Sequence, residues 1–124
     1  MDKTLRILIV EDSDAMKKLA LENLEVLGFK NATGVSNGVE AMAYLEENPV
    51  DLIISDWEMP KLNGLGLLKA IRKTPSLQEI PFILMSIHDD FNQTSVAKNE
   101  GVTEYLCKPV TVETLSEAIE KIFS

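Results

Sequence analysis

Five residues at strand ends could do chemistry in this 124-residue chain: Glu11 with Asp12, Asp56, Ser86 and Lys108. Each stands where a short apolar run stops. Glu11 and Asp12 follow "RILIV" (6–10), and Asp56 follows "DLIIS" (51–55). Ser86 closes "FILMS" (82–86), and Lys108 closes "EYLCK" (104–108), with Pro109 next. If those ends lie side by side, three carboxylates, one hydroxyl and one ammonium share a single place. Crowded carboxylates repel unless a cation relieves them. Mg²⁺ suits such a site, because it takes oxygen ligands, keeps several waters and shares its shell with phosphate. A lysine adds a positive point charge, and a serine hydroxyl can donate to an oxyanion. This is the equipment of phosphoryl transfer, where positioning and charge neutralisation dominate. A carboxylate can itself be the nucleophile and become an aspartyl phosphate. Asp56 is the candidate, since it would sit on a central strand with helpers on both sides.

The elements that must position these residues are legible as an alternation. Continuous apolar runs such as 6–10, 51–55 and 82–86 read as strands buried on both faces, as in a parallel sheet covered by helices. Segments 31–35 and 104–108 are weaker strands. Between them, Met16, Leu19, Ala20, Leu24 and Leu27 recur at helical spacing, with Ser13 as N-cap and Gly28 as stop. Val39, Met42, Ala43 and Leu45 predict a second helix, ended before Pro49; Leu65, Leu68 and Ile71 predict a third. Leu115, Ala118, Ile119 and Ile122, capped by Thr111 or a residue near it, predict the last. Segment 89–100 is apolar only at Phe91, Val96 and Ala97 and is read as helix because the alternation needs a crossover there. The sum is an α/β fold, β-α repeated five times, with a five-stranded parallel sheet and helices on both faces. In such open sheets ligands bind beyond the carboxyl ends of the strands, where the five residues fall.

Length allows one domain, residues 1–124, with no output domain. The formal net charge of -8 argues against binding nucleic acid or an anionic membrane, both of which need a basic surface. One cysteine, Cys107, cannot form an internal disulfide, which fits a reducing compartment. The start "MDKTLRILIVED" lacks a signal-peptide layout, and no apolar stretch approaches the roughly 20 residues of a membrane helix. The expectation is a cytoplasmic monomer.

The segments "LIVEDS", "ISDWEMPKLNG", the Ser86 strand end and "EYLCKPV" occur together, in order, across nearly the whole chain. In this the sequence resembles the response-regulator receiver domains, and among them the stand-alone CheY-like ones. The resemblance implies a flavodoxin-like fold with strand order 2-1-3-4-5 and a role in two-component signalling, with chemotaxis as the first guess for the pathway. It implies that Asp56 accepts a phosphoryl group from a sensor histidine kinase, and that the chain catalyses only its own phosphorylation and dephosphorylation. Asp12 and Asp56 would ligate Mg²⁺ together with the backbone carbonyl of Glu58, and Glu11 would act through a metal-bound water. Ser86 would bond a phosphoryl oxygen, and Lys108, aimed inward by a cis bond to Pro109, would pair with Asp56. Tyr105 takes the position of the family's switch aromatic. A downstream protein would then bind the surface of the fourth helix, fifth strand and fifth helix. Glu58 and His88 occupy two variable positions that tend to set the dephosphorylation rate.

Taken singly, each residue has a plainer reading. Glu11 and Asp12 could be solvated acids favoured by a helix dipole, Asp56 a turn residue, Tyr105 a half-buried strand aromatic, His88 a surface residue, Trp57 a partly exposed aromatic and Cys107 a small apolar strand residue. Ile87 is bulkier than is usual beside the site and could narrow access to Asp56. Three alternative functions stand beside the receiver. A Mg²⁺-dependent phosphatase would use Glu58 as general acid-base, two residues after the nucleophile. An FMN carrier would need a Ser/Thr/Gly-rich loop where acids stand. A degenerate receiver would bind partners without phosphorylation.

Overall fold

Apolar runs with no polar alternation find stable burial only where both sheet faces are covered, and the chain arranges itself accordingly. The computed structural model describes residues 2–124. Five strands, β1 (Arg6–Val10), β2 (Asn31–Val35), β3 (Leu52–Asp56), β4 (Phe82–Ser86) and β5 (Glu104–Cys107), alternate with five helices. The helices are α1 (Asp14–Val26), α2 (Gly38–Glu47), α3 (Gly64–Lys73), α4 (Phe91–Asn99) and α5 (Val112–Phe123). The strands form one parallel sheet in the order β2-β1-β3-β4-β5, so the expected architecture and strand order hold. Among the described residues no helix is long and apolar enough to cross a membrane.

The two-residue period of the strands splits the core into two layers. Leu8, Val10, Ile53, Phe82 and Leu84 face α2 and α3, where Ala41, Leu45, Leu67, Leu68 and Ile71 meet them. Ile7, Ile9, Leu52, Ile54, Ile83 and Met85 face α1 and α5 through Leu24, Leu115, Ala118 and Ile119. Side-chain oxygens cap all five helices: Ser13, Asn37, Asn63, Asp90 and Thr111 each accept a first-turn N–H, and Thr111 with Thr114 completes a reciprocal box. Each cap fixes where its loop ends, and so where the strand-end residues sit.

Helix faces were less legible than helix positions. On α1 only Leu24 is fully buried; Met16 and Leu19 are 44% and 46% exposed. They line a groove of about 380 Å³ between α1 and α5, with Ile87, Pro109 and Leu115. On α2 the buried residues are Gly38, Ala41 and Leu45, while Val39 and Ala43 face solvent. Short helices pack on the sheet over a narrow stripe, which the apolar pattern overstates. The helix at 91–99 exists and is the weak one expected: Ala97 is its one buried residue and Phe91 is 82% exposed.

Gly64 is where the fold comes closest to the site. Its N–H donates to Trp57 O at 3.0 Å, pinning the start of α3 against the end of β3. A Cβ there would collide with the Asp56 carbonyl oxygen and lie 2.8 Å from Trp57 Cα, so the position needs glycine for close approach of two backbones. Gly64→Ala is expected to cost about 1–3 kcal/mol of stability, the usual range for overpacking a filled site. Urea unfolding curves of the two proteins check it.

Candidate functional site

The parallel register brings the strand ends to one edge. Ile9 pairs with Ile54, Asp56 with Met85 and Ser86 with Cys107. The ladders continue past the strands: Glu11 N–H donates to Val35 O, Trp57 N–H to Met85 O and Lys108 N–H to Ser86 O, at 2.8–3.0 Å. These bonds hold Glu11 and Lys108 rigidly just beyond the sheet. Asp56 differs slightly from its sequence reading, being the last residue of β3 rather than the first after it, and Lys108 falls just outside β5.

Carboxylate oxygens of Glu11, Asp12 and Asp56 lie within 4.8 Å of one another. Glu11 and Asp56 are only 4% and 3% exposed; Asp12 is exposed. Lys108 Nζ lies 2.9 Å from Asp56 Oδ1 and 3.9 Å from Glu11 Oε1. The closer contact is an ion pair, and among the described residues Lys108 is the only group set against the buried Oδ1. Burial acts to lower the affinity of the Lys108 ammonium for its proton, but the contact with Asp56 and the charges of Asp56, Glu11 and Glu58 outweigh it, and its pKa is raised. One cation for three acids leaves negative charge uncompensated. An all-oxygen donor set of three clustered carboxylates with one lysine among them fits a hard divalent cation such as Mg²⁺. The Lys108–Pro109 peptide bond is cis.

Ser86, Glu58, His88 and Tyr105 form a second group beside the acids. Ser86 is fully buried, and its hydroxyl donates to Glu58 Oε2 at 2.9 Å. The His88 N–H donates to Ser86 Oγ at 3.0 Å, and the Tyr105 hydroxyl donates to the His88 carbonyl. His88 Nε2 lies 3.7 Å from Glu58 Oε2. Burial raises the Tyr105 phenol above its ordinary pKa. Trp57 meets His88 and Tyr105 edge-on, with ring centroids 6.0 and 6.2 Å apart. At 9% exposed it belongs to the core, not to the surface as its sequence context implied. Cys107 is the reverse, an exposed thiol at the end of an edge strand. Ile87 is 68% exposed and stands on the α1 side of the site, lining the groove with Glu11 and Lys108.

What sequence reasoning missed is the side chain of Glu58. The resemblance assigned its backbone carbonyl to a metal; the carboxylate instead holds the Ser86 hydroxyl across 28 positions of chain. The only available signal was that Glu58 and His88 flank the site.

The family model for "Response regulator receiver domain" matches residues 7–120. Chemotaxis protein CheY-3 of Vibrio cholerae is 34% identical over 99% of this chain and 95% of its own length. Chemotaxis protein CheY of Pseudomonas aeruginosa is 34% identical over 96% of each. Among solved structures, chemotaxis protein CheY4 of V. cholerae superposes with a TM-score of 0.89 at 26% identity, over 96% of this chain and 98% of that one.

The acid cluster has a pH signature. Burial pushes the Glu11 carboxyl up to about 7 from an ordinary 4.5; the Ser13 N–H bond opposes this and the Asp56 charge adds to it. Between those values the folded chain keeps a proton that the unfolded chain has released, so this group's contribution to the stability of metal-free protein is present at low pH and lost as pH rises to about 7. Glu11→Gln cannot titrate, so its stability relative to wild type is expected to rise across that window. Divalent cations prefer the ionised site, so Mg²⁺ affinity is expected to rise over the same window in wild type and less steeply in Glu11→Gln. Calorimetry without metal and Mg²⁺ titrations of Trp57 fluorescence check both.

Proposed function

This chain belongs to the response-regulator receiver family and is a two-component response regulator, and on that premise we propose that Asp56 is its phosphoacceptor. The observation that carries the assignment is the pair of Asp56 and Lys108: a buried carboxylate whose Oδ1 lies 2.9 Å from an ammonium, with two more acids within reach. Residues 1–124 act as one receiver unit. It is not a classical enzyme; its chemistry is confined to its own phosphorylation and dephosphorylation.

An Asp56 oxygen attacks the phosphorus of a phosphohistidine on a sensor kinase. The new O–P bond forms as the N–P bond breaks, and the imidazole leaves and regains its proton. Asp12, Asp56 and the Glu58 carbonyl would hold Mg²⁺, with Glu11 acting through a bound water. When bound, Mg²⁺ neutralises charge on the transferring phosphoryl oxygens. Lys108 turns from the Asp56 carboxylate to the phosphoryl group and supplies a second positive charge. Hydrolysis later returns inorganic phosphate and free Asp56. The phosphatase reading is not favoured, since the Glu58 carboxylate is bonded to Ser86.

The phosphoryl group brings roughly -1.5 to -2 charges and three acceptor oxygens. Ser86 is drawn to them, and the His88 backbone follows through the 3.0 Å bond to Ser86 Oγ. That movement breaks or drags the Tyr105–His88 contact, so Tyr105 turns and the surface of α4, β5 and α5 changes shape. A downstream protein that prefers the new shape binds it and, by linkage, stabilises it. The named relatives act in chemotaxis, and we place this chain in the same kind of pathway, in the cytoplasm.

Trp57 neighbours Asp56 and is the only tryptophan. Its fluorescence is expected to change with Mg²⁺ and again with Mg²⁺ plus beryllofluoride, the second change being absent in Asp56→Asn. A second change that persists in Asp56→Asn would remove the phosphoacceptor assignment. Glu58→Ala and His88→Ala are each expected to alter the lifetime of the aspartyl phosphate severalfold, followed as release of labelled phosphate; unchanged decay in both would show that neither flank governs hydrolysis.

A further inference from the structure

A serine hydroxyl has one proton, and in this protein it is already committed. Glu58, as a carboxylate, can only accept, so Ser86 must donate to it; the His88 N–H can only donate, so Ser86 must accept from it. Both roles of a fully buried hydroxyl are therefore filled, and no solvent reaches it to substitute. A phosphoryl group on Asp56 needs the same proton. Two anionic acceptors cannot share it, and they repel each other as well.

We propose that Glu58 is a resting-state latch: its carboxylate holds the Ser86 hydroxyl and must release it before a phosphoryl group on Asp56 can take it. The inference rests on the receiver reading of Asp56 and adds what opposes switching. Glu58 is suited to let go. Its side chain is 37% exposed, so the released carboxylate enters water at little cost, whereas Ser86 is sealed in. The latch also reaches the switch. Glu58, Ser86, the His88 backbone and the Tyr105 hydroxyl form one chain of hydrogen bonds, so holding Ser86 also holds the loop at His88 and the ring of Tyr105. Glu58 is thus a positioning residue, acting on the phosphoryl group only through Ser86.

Beryllofluoride with Mg²⁺ is the probe, read by Trp57 fluorescence in wild type, Glu58→Ala, Ser86→Ala and the double variant. Removing a charge-assisted hydrogen bond that competes with the ligand is expected to tighten beryllofluoride binding roughly tenfold in Glu58→Ala. In the Ser86→Ala background the same substitution is expected to give little tightening, because the bond it relieves is gone. Equal tightening in both backgrounds means that Glu58 acts by charge alone and overturns the latch. Unchanged or weaker binding in Glu58→Ala, with the wild-type response intact and Asp56-dependent, overturns the latch while leaving the phosphoacceptor in place. A wild-type response that survives Asp56→Asn overturns both. Should Ser86→Ala fail to fold, Glu58→Asp carries the test: it keeps the charge but is one methylene short, so tightening supports the latch and wild-type affinity overturns it.

Discussion

The ion pair between Asp56 and Lys108 organises the rest of the molecule. A carboxylate that is 3% exposed is costly unless opposite charge stands beside it, and here the ammonium stands at 2.9 Å. Even so, among the described residues that ammonium is the only group set against the buried Asp56 Oδ1, and Glu11 is pressed toward its neutral form. The resting site is thus short of positive charge and of hydrogen-bond donors. Both shortages point the same way: a cation, or an anion bound with one, would complete what the chain leaves unfinished.

Holding such a site open requires a rigid surround. Three central strands supply it, with residues from Ile7 to Val10, Leu52 to Asp56 and Phe82 to Met85 almost wholly buried between two helical layers. The backbone ladders extend one residue beyond β1, β3 and β5, where the functional side chains begin. Gly64 adds a local constraint, closing α3 onto the Asp56 backbone with no room for a side chain. Stability is concentrated under the acids, while the segment proposed to move is thinly attached: α4 buries only Ala97. Low local stability is a general property of elements that switch.

Two chains of polar contacts leave the site in different directions. One joins Lys108, Asp56 and Glu11 and is purely electrostatic. The other joins Glu58, Ser86, His88 and Tyr105 and is directional, and at its centre the one Ser86 hydroxyl proton can serve only one acceptor at a time. Phosphorylation adds charge to the first and acceptors to the second. Charge alone would be felt diffusely; the competition for one hydroxyl proton turns it into movement of a defined loop.

The alternation of apolar runs and helical stripes determined the fold from sequence alone, because only a parallel sheet covered on both faces can bury runs like 6–10, 51–55 and 82–86. With strand ends forced to one edge, Glu11, Asp12, Asp56, Ser86 and Lys108 had to converge, and their types named the chemistry. Periodicity was a poorer guide to burial on single helices: Met16 and Leu19 fit the α1 stripe yet line an open groove, since a stripe shows which residues could pack but not how far the neighbouring helix reaches. Trp57 and Cys107 exchanged places for a similar reason, because exposure at a strand end depends on what the next loop covers. Tertiary structure alone decided that Glu58 turns its carboxylate onto Ser86. That contact joins residues 28 apart through side-chain rotamers, and no local pattern encodes a rotamer that only the assembled site selects.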